Sequence, residues 1–144
     1  MKVCNCHEYL QDMGLLVLRL SVGLMMSFGH GLGKVSQFFK GDEIQFADPI
    51  GIGTKLSFYL VGTTEFFISL ILVVGLFTRL ATLPLIFNML VAVLVVHGAG
   101  PFAEKEIALL YLFPFVTLLL TGPGKISLDY LIRNKFCQRN KIEM

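Results

Sequence analysis

The sequence predicts an all-α fold, a four-helix transmembrane bundle with a short C-terminal interfacial helix. Three observations predict it. The 144-residue chain is 55% hydrophobic and only 15% charged, against about a quarter charged in an ordinary soluble domain. Its apolar residues fall into four runs of roughly 15 to 22 residues, near the length that crosses a bilayer core. One carboxylate, Glu65, lies near the middle of the second run. A lone ionisable group at that depth is costly, so it is expected to face inward and be paired, or be held neutral. The chain reads as a single integral-membrane domain, 1–144, with spans at about 13–34, 56–76, 80–97 and 106–121 and an interfacial segment at 125–136.

The first run carries Arg19, Gly23, Met26 and His30. At about 100° per residue, eleven steps return to within about 20° of the start, so these four share a stripe. Glu8 and Asp12 precede the run and argue against a cleavable leader. In the second run Gly62, Glu65 and Ser69 share a face, and small neighbours let another helix approach the acid. The third run places Pro84 in its expected first turn, where a missing N–H costs little. It also carries Asn88 and ends at His97. In the fourth, Glu106, Phe113 and Thr117 align. Pro114 removes an intrahelical bond there, and Gly122-Pro123-Gly124 ends the helix.

The connections differ. Thr78-Arg79 reads as a tight turn and residues 97–105 as a short loop. Residues 35–55 carry Phe38-Phe39, Asp42-Glu43 and Phe46-Ala-Asp48-Pro49-Ile-Gly51-Ile-Gly53, a composition expected to lie on the membrane surface. After Gly124, Lys125 to Arg133 reads as an amphipathic interfacial helix. Arg79 and the basic residues Lys125, Arg133, Lys135, Arg139 and Lys141 place both termini in the cytoplasm by the positive-inside rule. The net charge of +2 is too small to indicate nucleic acid. Cys4, Cys6 and Cys137 lie outside the apolar runs. Cys4-Asn-Cys6-His7 lacks the spacing of a metal motif, and no metal is expected.

The polar residues gather toward one end: His30, Lys34, His97, Glu104 and Glu106 at the extracytoplasmic side, with Glu65 below them. Side chains lean toward their helix's N-terminus. Glu65 and His30 then converge, and His30 is expected to be its partner. Arg19 leans the other way, toward Gly122-Pro123-Gly124 or Asp129.

These residues carry a resemblance. Arg19-Leu-Ser-Val-Gly23 with His30-Gly31-x-x-Lys34 resembles the first-helix signature of DoxX-like membrane proteins. So do Phe46-Ala-Asp48-Pro49-Ile-Gly51-Ile-Gly53, and Glu65 followed by Gly75-Leu-Phe-Thr-Arg79. His97, Pro101-Phe102, Glu106-x-Ala-Leu-Leu and Gly122-Pro-Gly-Lys-Ile-Ser-Leu-Asp129 extend the likeness over about residues 15 to 132. The resemblance implies a four-helix inner-membrane protein. It also implies a small subunit of a quinone-linked oxidoreductase, such as thiosulfate:quinone oxidoreductase, or a membrane partner of a redox-stress complex.

Three functional readings follow. The first is an auxiliary or quinone-interacting subunit of a membrane redox complex. Its candidate site is Arg19, Met26, His30, Gly62, Glu65, His97 and Glu106, with Glu65 as candidate proton acceptor and quinone as the cofactor. The second is a non-catalytic scaffold, in partner complexes or a homo-oligomer, that anchors a soluble protein through its basic tail. The third is a small-solute or proton pathway lined by Arg19, Glu65 and His30.

Overall fold

The computed structural model describes residues 3–41 and 44–142, with side chains over 7–41 and 44–135. Cys4, Cys6, Cys137, Asp42 and Glu43 lie outside the described side chains. Helix α1 (residues 3–40) runs through Val3–Met26, Ser27–Gly31 and Leu32–Lys40 without a break. It passes the end of its apolar run and stops where Gly41 takes a left-handed φ of 70°. Helix α2 is Thr54–Val74 and α3 is Thr78–Val96. Helix α4 is Phe102–Thr121 and α5 is Leu128–Ile142. No strand occurs among the described residues.

Among the described residues, three helices, in α1, α2 and α3, are long and apolar enough to cross a membrane. The 20 residues of α4 have the length, but Glu104, Lys105 and Glu106 occupy its N-terminal end. This is a membrane protein, and its solvent is the lipid bilayer.

The α2–α3 turn departs from the sequence reading. Gly75 and Phe77 both take left-handed φ, 76° and 46°, and the turn falls at Gly75 to Phe77. Thr78 and Arg79 already belong to α3. The cause is remote. The Asp129 carboxylate accepts hydrogen bonds from the backbone N–H of Phe77 (2.7 Å) and Thr78 (2.8 Å), satisfying donors that a helix start leaves orphaned. Pro84 consequently sits inside α3 and not in its first turn, which corrects the expectation above. Helix α4 likewise starts before Glu106, directly after the extended Pro101. Pro114 lies within α4, and Gly122 and Gly124 end it with φ of 81° and 78°.

Helices α1 and α2 run antiparallel. Arg19 meets Val73 at one end and Lys34 meets Glu65 at the other. Gly23 and Gly31 make this approach possible. A Cβ at Gly31 would stand 2.6 Å from the Phe66 backbone nitrogen, and one at Gly23 would stand 2.5 Å from a Val73 methyl. Helices α3 and α4 are also antiparallel. Arg79 reaches the Leu120 carbonyl at one end (3.3 Å) and His97 faces Glu104 (3.5 Å) at the other. Leu72, Leu85, Phe115 and Leu118 fill the space between the pairs and are fully buried.

Residues 44–53 form a loop without helix, organised by Asp48. Its carboxylate accepts hydrogen bonds from Ile52 N–H (3.0 Å), Gly53 N–H (2.7 Å) and the Ser57 hydroxyl (2.9 Å). The bond from Gly53, helped by those from Ser57 and Ile52, holds the Asp48 carboxyl below the usual carboxylate range. A depressed pKa stabilises the fold fully above the unfolded value near pH 4 and loses that contribution as pH falls through the folded value. The thermal midpoint of the wild type is expected to drop more between pH 6 and pH 3 than that of Asp48→Asn. Equal drops would remove Asp48 as the source.

Candidate functional site

The site is built where α1, α2 and α3 each contain one wide, five-residue turn: Ser27–Gly31, Thr64–Ile68 and Ala92–Val96. Such a turn inserts an extra residue into a helix and is frequent at functional sites. The first two pack against each other, and the Ser27 hydroxyl donates to the Phe66 carbonyl at 3.3 Å.

Glu65, in the second wide turn, is 6% exposed. Lys34 donates to one of its oxygens at 2.5 Å and the Asn88 amide to the other at 3.1 Å. An ammonium and an amide from two different helices thus hold the carboxylate in the bundle. This corrects the expectation that His30 is its partner. The reason is register. The wide turn at Ser27–Gly31 adds one residue to the stripe begun by Arg19 and Met26. Downstream it therefore continues through Gly31 and Lys34, and His30 turns away. Helix lean acts as argued, but on Lys34, one turn further along α1.

His30 instead packs edge-on against Tyr111 of α4, ring centroids 5.4 Å apart. Both rings line a cavity of about 310 Å³ with Met26, Glu65, Met89, His97 and Glu104. A second cavity of about 210 Å³ lies on another side of Glu65, walled by Lys34, Asn88, His97 and the loop residues Phe46 and Pro49. Glu65, Met89, Ala92 and His97 line both spaces, one bounded further by α4 and the other by the 44–53 loop. Among the described residues, no three of His, Cys, Asp and Glu converge as a metal site would require.

The DoxX family profile matches residues 14–98, the stretch that holds Arg19, Glu65 and all three wide turns. The chain belongs to the DoxX family. An uncharacterized protein of Haemophilus influenzae is 32% identical to this DoxX protein over 135 residues, covering 87% of this chain and 92% of its own. No solved structure matches it.

Of the seven residues singled out from the sequence, Met26, His30, Glu65 and His97 line the one cavity. The other three do not. Arg19 is at the opposite end of the α1–α2 pair, bonded to the carbonyls of Val73, Pro123 and Ile126. This is the turn toward which its lean pointed. Gly62 is buried against the Lys34 stem, and Glu106 is exposed on α4. Sequence reasoning assigned no site role to Lys34, Asn88, Tyr111 or Glu104. Asn88 offered a signal, as an amide in mid-run on the next helix. Tyr111 offered none beyond its hydroxyl.

Proposed function

We propose that this DoxX protein is a quinone-interacting subunit of a membrane redox complex, with four spanning helices in the inner membrane and both termini in the cytoplasm. The observation that carries the reading is the cavity in which His30 and Glu65, with the facing pair His97 and Glu104 at its edge, meet apolar Met26, Met89, Ile107 and Ala108 and the Tyr111 ring. Its volume of about 310 Å³ is at the small end of ligand sites, roughly 300 to 1,000 Å³. An apolar slot with a few convergent polar groups fits a planar ring with two carbonyl acceptors. Bound there, a quinone would supply the electron-accepting chemistry. His30 presents imidazole N–H at the wall, and Glu65, held by Lys34 and Asn88, is placed to accept or deliver a proton. Partner subunits bring the electrons.

The test is quinone content after purification in mild detergent. The wild type is expected to retain quinone. His30→Ala and Glu65→Gln are expected to lose roughly tenfold in retention, as when a hydrogen bond to a charged or buried group is removed. Wild-type protein that retains no quinone and gains no thermal stability from added quinone would overturn the proposal.

A further inference from the structure

At the other end of the bundle lies an open cavity of about 610 Å³, bounded by the start of α1, the α2–α3 turn, the α4–α5 turn and α5. Arg79, Lys125 and Arg133 line it, as do Asp12 and Asp129. The two carboxylates are already committed to the backbone. Asp129 takes the N–H groups of Phe77 and Thr78, and Asp12 takes the N–H of Lys125 at 2.8 Å. Lys125 is paired with Glu8 at 2.7 Å. The two guanidiniums are different. Arg79 spends one N–H on the Leu120 carbonyl, and Arg133 lies over the Tyr130 ring, 5.7 Å from its centroid. Their remaining N–H groups bond no acceptor among the described residues. Beneath them the buried Arg19 adds a positive charge held only on carbonyls. On the same wall the buried Thr78 hydroxyl has no partner among the described residues. Asp12 and Asp129 keep their charge against Arg79 and Arg133, and Lys125 is offset by Glu8, so the single excess positive charge is that of Arg19. What the cavity itself has in surplus is N–H and O–H donors.

It also opens where the apolar spans end. Phe77 in the turn between α2 and α3, Leu80 on α3 and Leu120 on α4 stand 64%, 65% and 72% exposed. A ligand with an anionic oxygen head and a hydrocarbon body matches both surfaces. We propose that this cavity binds the phosphate of an anionic phospholipid headgroup, with Arg79 and Arg133 as its ligands and the acyl chains against Phe77, Leu80 and Leu120. Guanidinium forks suit phosphate oxygens bidentately. The site is at the opposite end of the bundle from Glu65, so it stands or falls apart from the quinone reading.

The experiment uses the full chain, purified and delipidated, with native mass spectrometry and thermal unfolding as readouts. Phosphatidylglycerol, phosphatidylcholine and inorganic phosphate are the probes. Phosphatidylglycerol is expected to be retained roughly thirtyfold better than phosphatidylcholine, as two interfacial arginines imply, and to raise the unfolding temperature. The preference should collapse in Arg133→Gln, an exposed position whose loss leaves the fold intact, and survive in Arg133→Lys at reduced strength. Arg79→Gln should act in the same direction. Equal retention of the two lipids would overturn the proposal, as would a preference unchanged in Arg133→Gln. Stabilisation by inorganic phosphate that displaces phosphatidylglycerol would overturn the lipid assignment in favour of a soluble anion.

Discussion

Lys34→Met is expected to destabilise the protein by about 3 to 5 kcal/mol, the range found when one member of a buried ion pair is removed and the other stays. Glu65 would be left in the bundle with only the Asn88 amide as donor. Glu65→Gln should cost much less, about 1 to 2 kcal/mol. The amide keeps hydrogen-bonding capacity, and Lys34, with 21% of its side chain exposed, can swing its ammonium to water. The asymmetry is the informative quantity, more than either loss alone. Lys34→Met combined with Glu65→Gln should recover part of the single Lys34 loss, because no buried charge is stranded. Reversible unfolding in mixed micelles measures all three. Equal losses for the two single variants would mean that the pair is solvated and that its position in the bundle has no electrostatic consequence.

Arg19→Met is expected to cost about 4 kcal/mol or more, since three carbonyls lose a charged donor and each buried orphan costs about 1 to 3 kcal/mol. Arg19 is 2% exposed and bonds Val73, Pro123 and Ile126 at 3.1, 2.7 and 2.8 Å. It joins α1 to the end of α2 and to the α4–α5 turn. Arg19→Lys should recover little, because an ammonium cannot span three acceptors as a planar fork does. The visible consequence is release of the chain after Gly122, read as faster proteolysis between α4 and α5. A variant that unfolds at the wild-type detergent midpoint, with that segment still protected, would contradict this account.

Much of the bundle was legible because lipid imposes a simple rule on it. Apolar runs of spanning length have few other uses, and the stop at Gly122-Pro123-Gly124 is written in residues that accept left-handed backbone or cannot continue a helix. The ends at Gly41 and Gly75 were missed, because the first apolar run stops at Lys34 and the next turn reads as Thr78-Arg79. Arg19 was legible too, since a long cation leaning along its own helix has one direction to go. The partner of Glu65 was not. It depends on one extra residue in the wide turn Ser27–Gly31, and neither Ser27-Phe-Gly-His-Gly31 nor its spacing announces an i→i+5 turn against an ordinary one. Counting at 3.6 residues per turn gave His30, and the real helix gave Lys34. The start of α3 was hidden for a different reason. The residue that caps it, Asp129, lies 51 residues beyond Thr78, and long-range caps leave no local mark.

The Arg19 contacts also set an order of events during synthesis. Two of its three acceptors, Pro123 and Ile126, are 104 and 107 residues further along the chain. At about 5–20 residues per second, the ribosome needs on the order of 5 to 20 s to make them after Arg19 has emerged. Through that interval the first helix is already apolar enough to enter the bilayer, but its arginine has no final resting place and must stay at the interface. The helix thus begins its life tethered at one depth and is drawn home only when the last turn arrives. Synthesis of the Pro123–Ile126 turn, more than insertion of the first segment, is the step that closes the bundle.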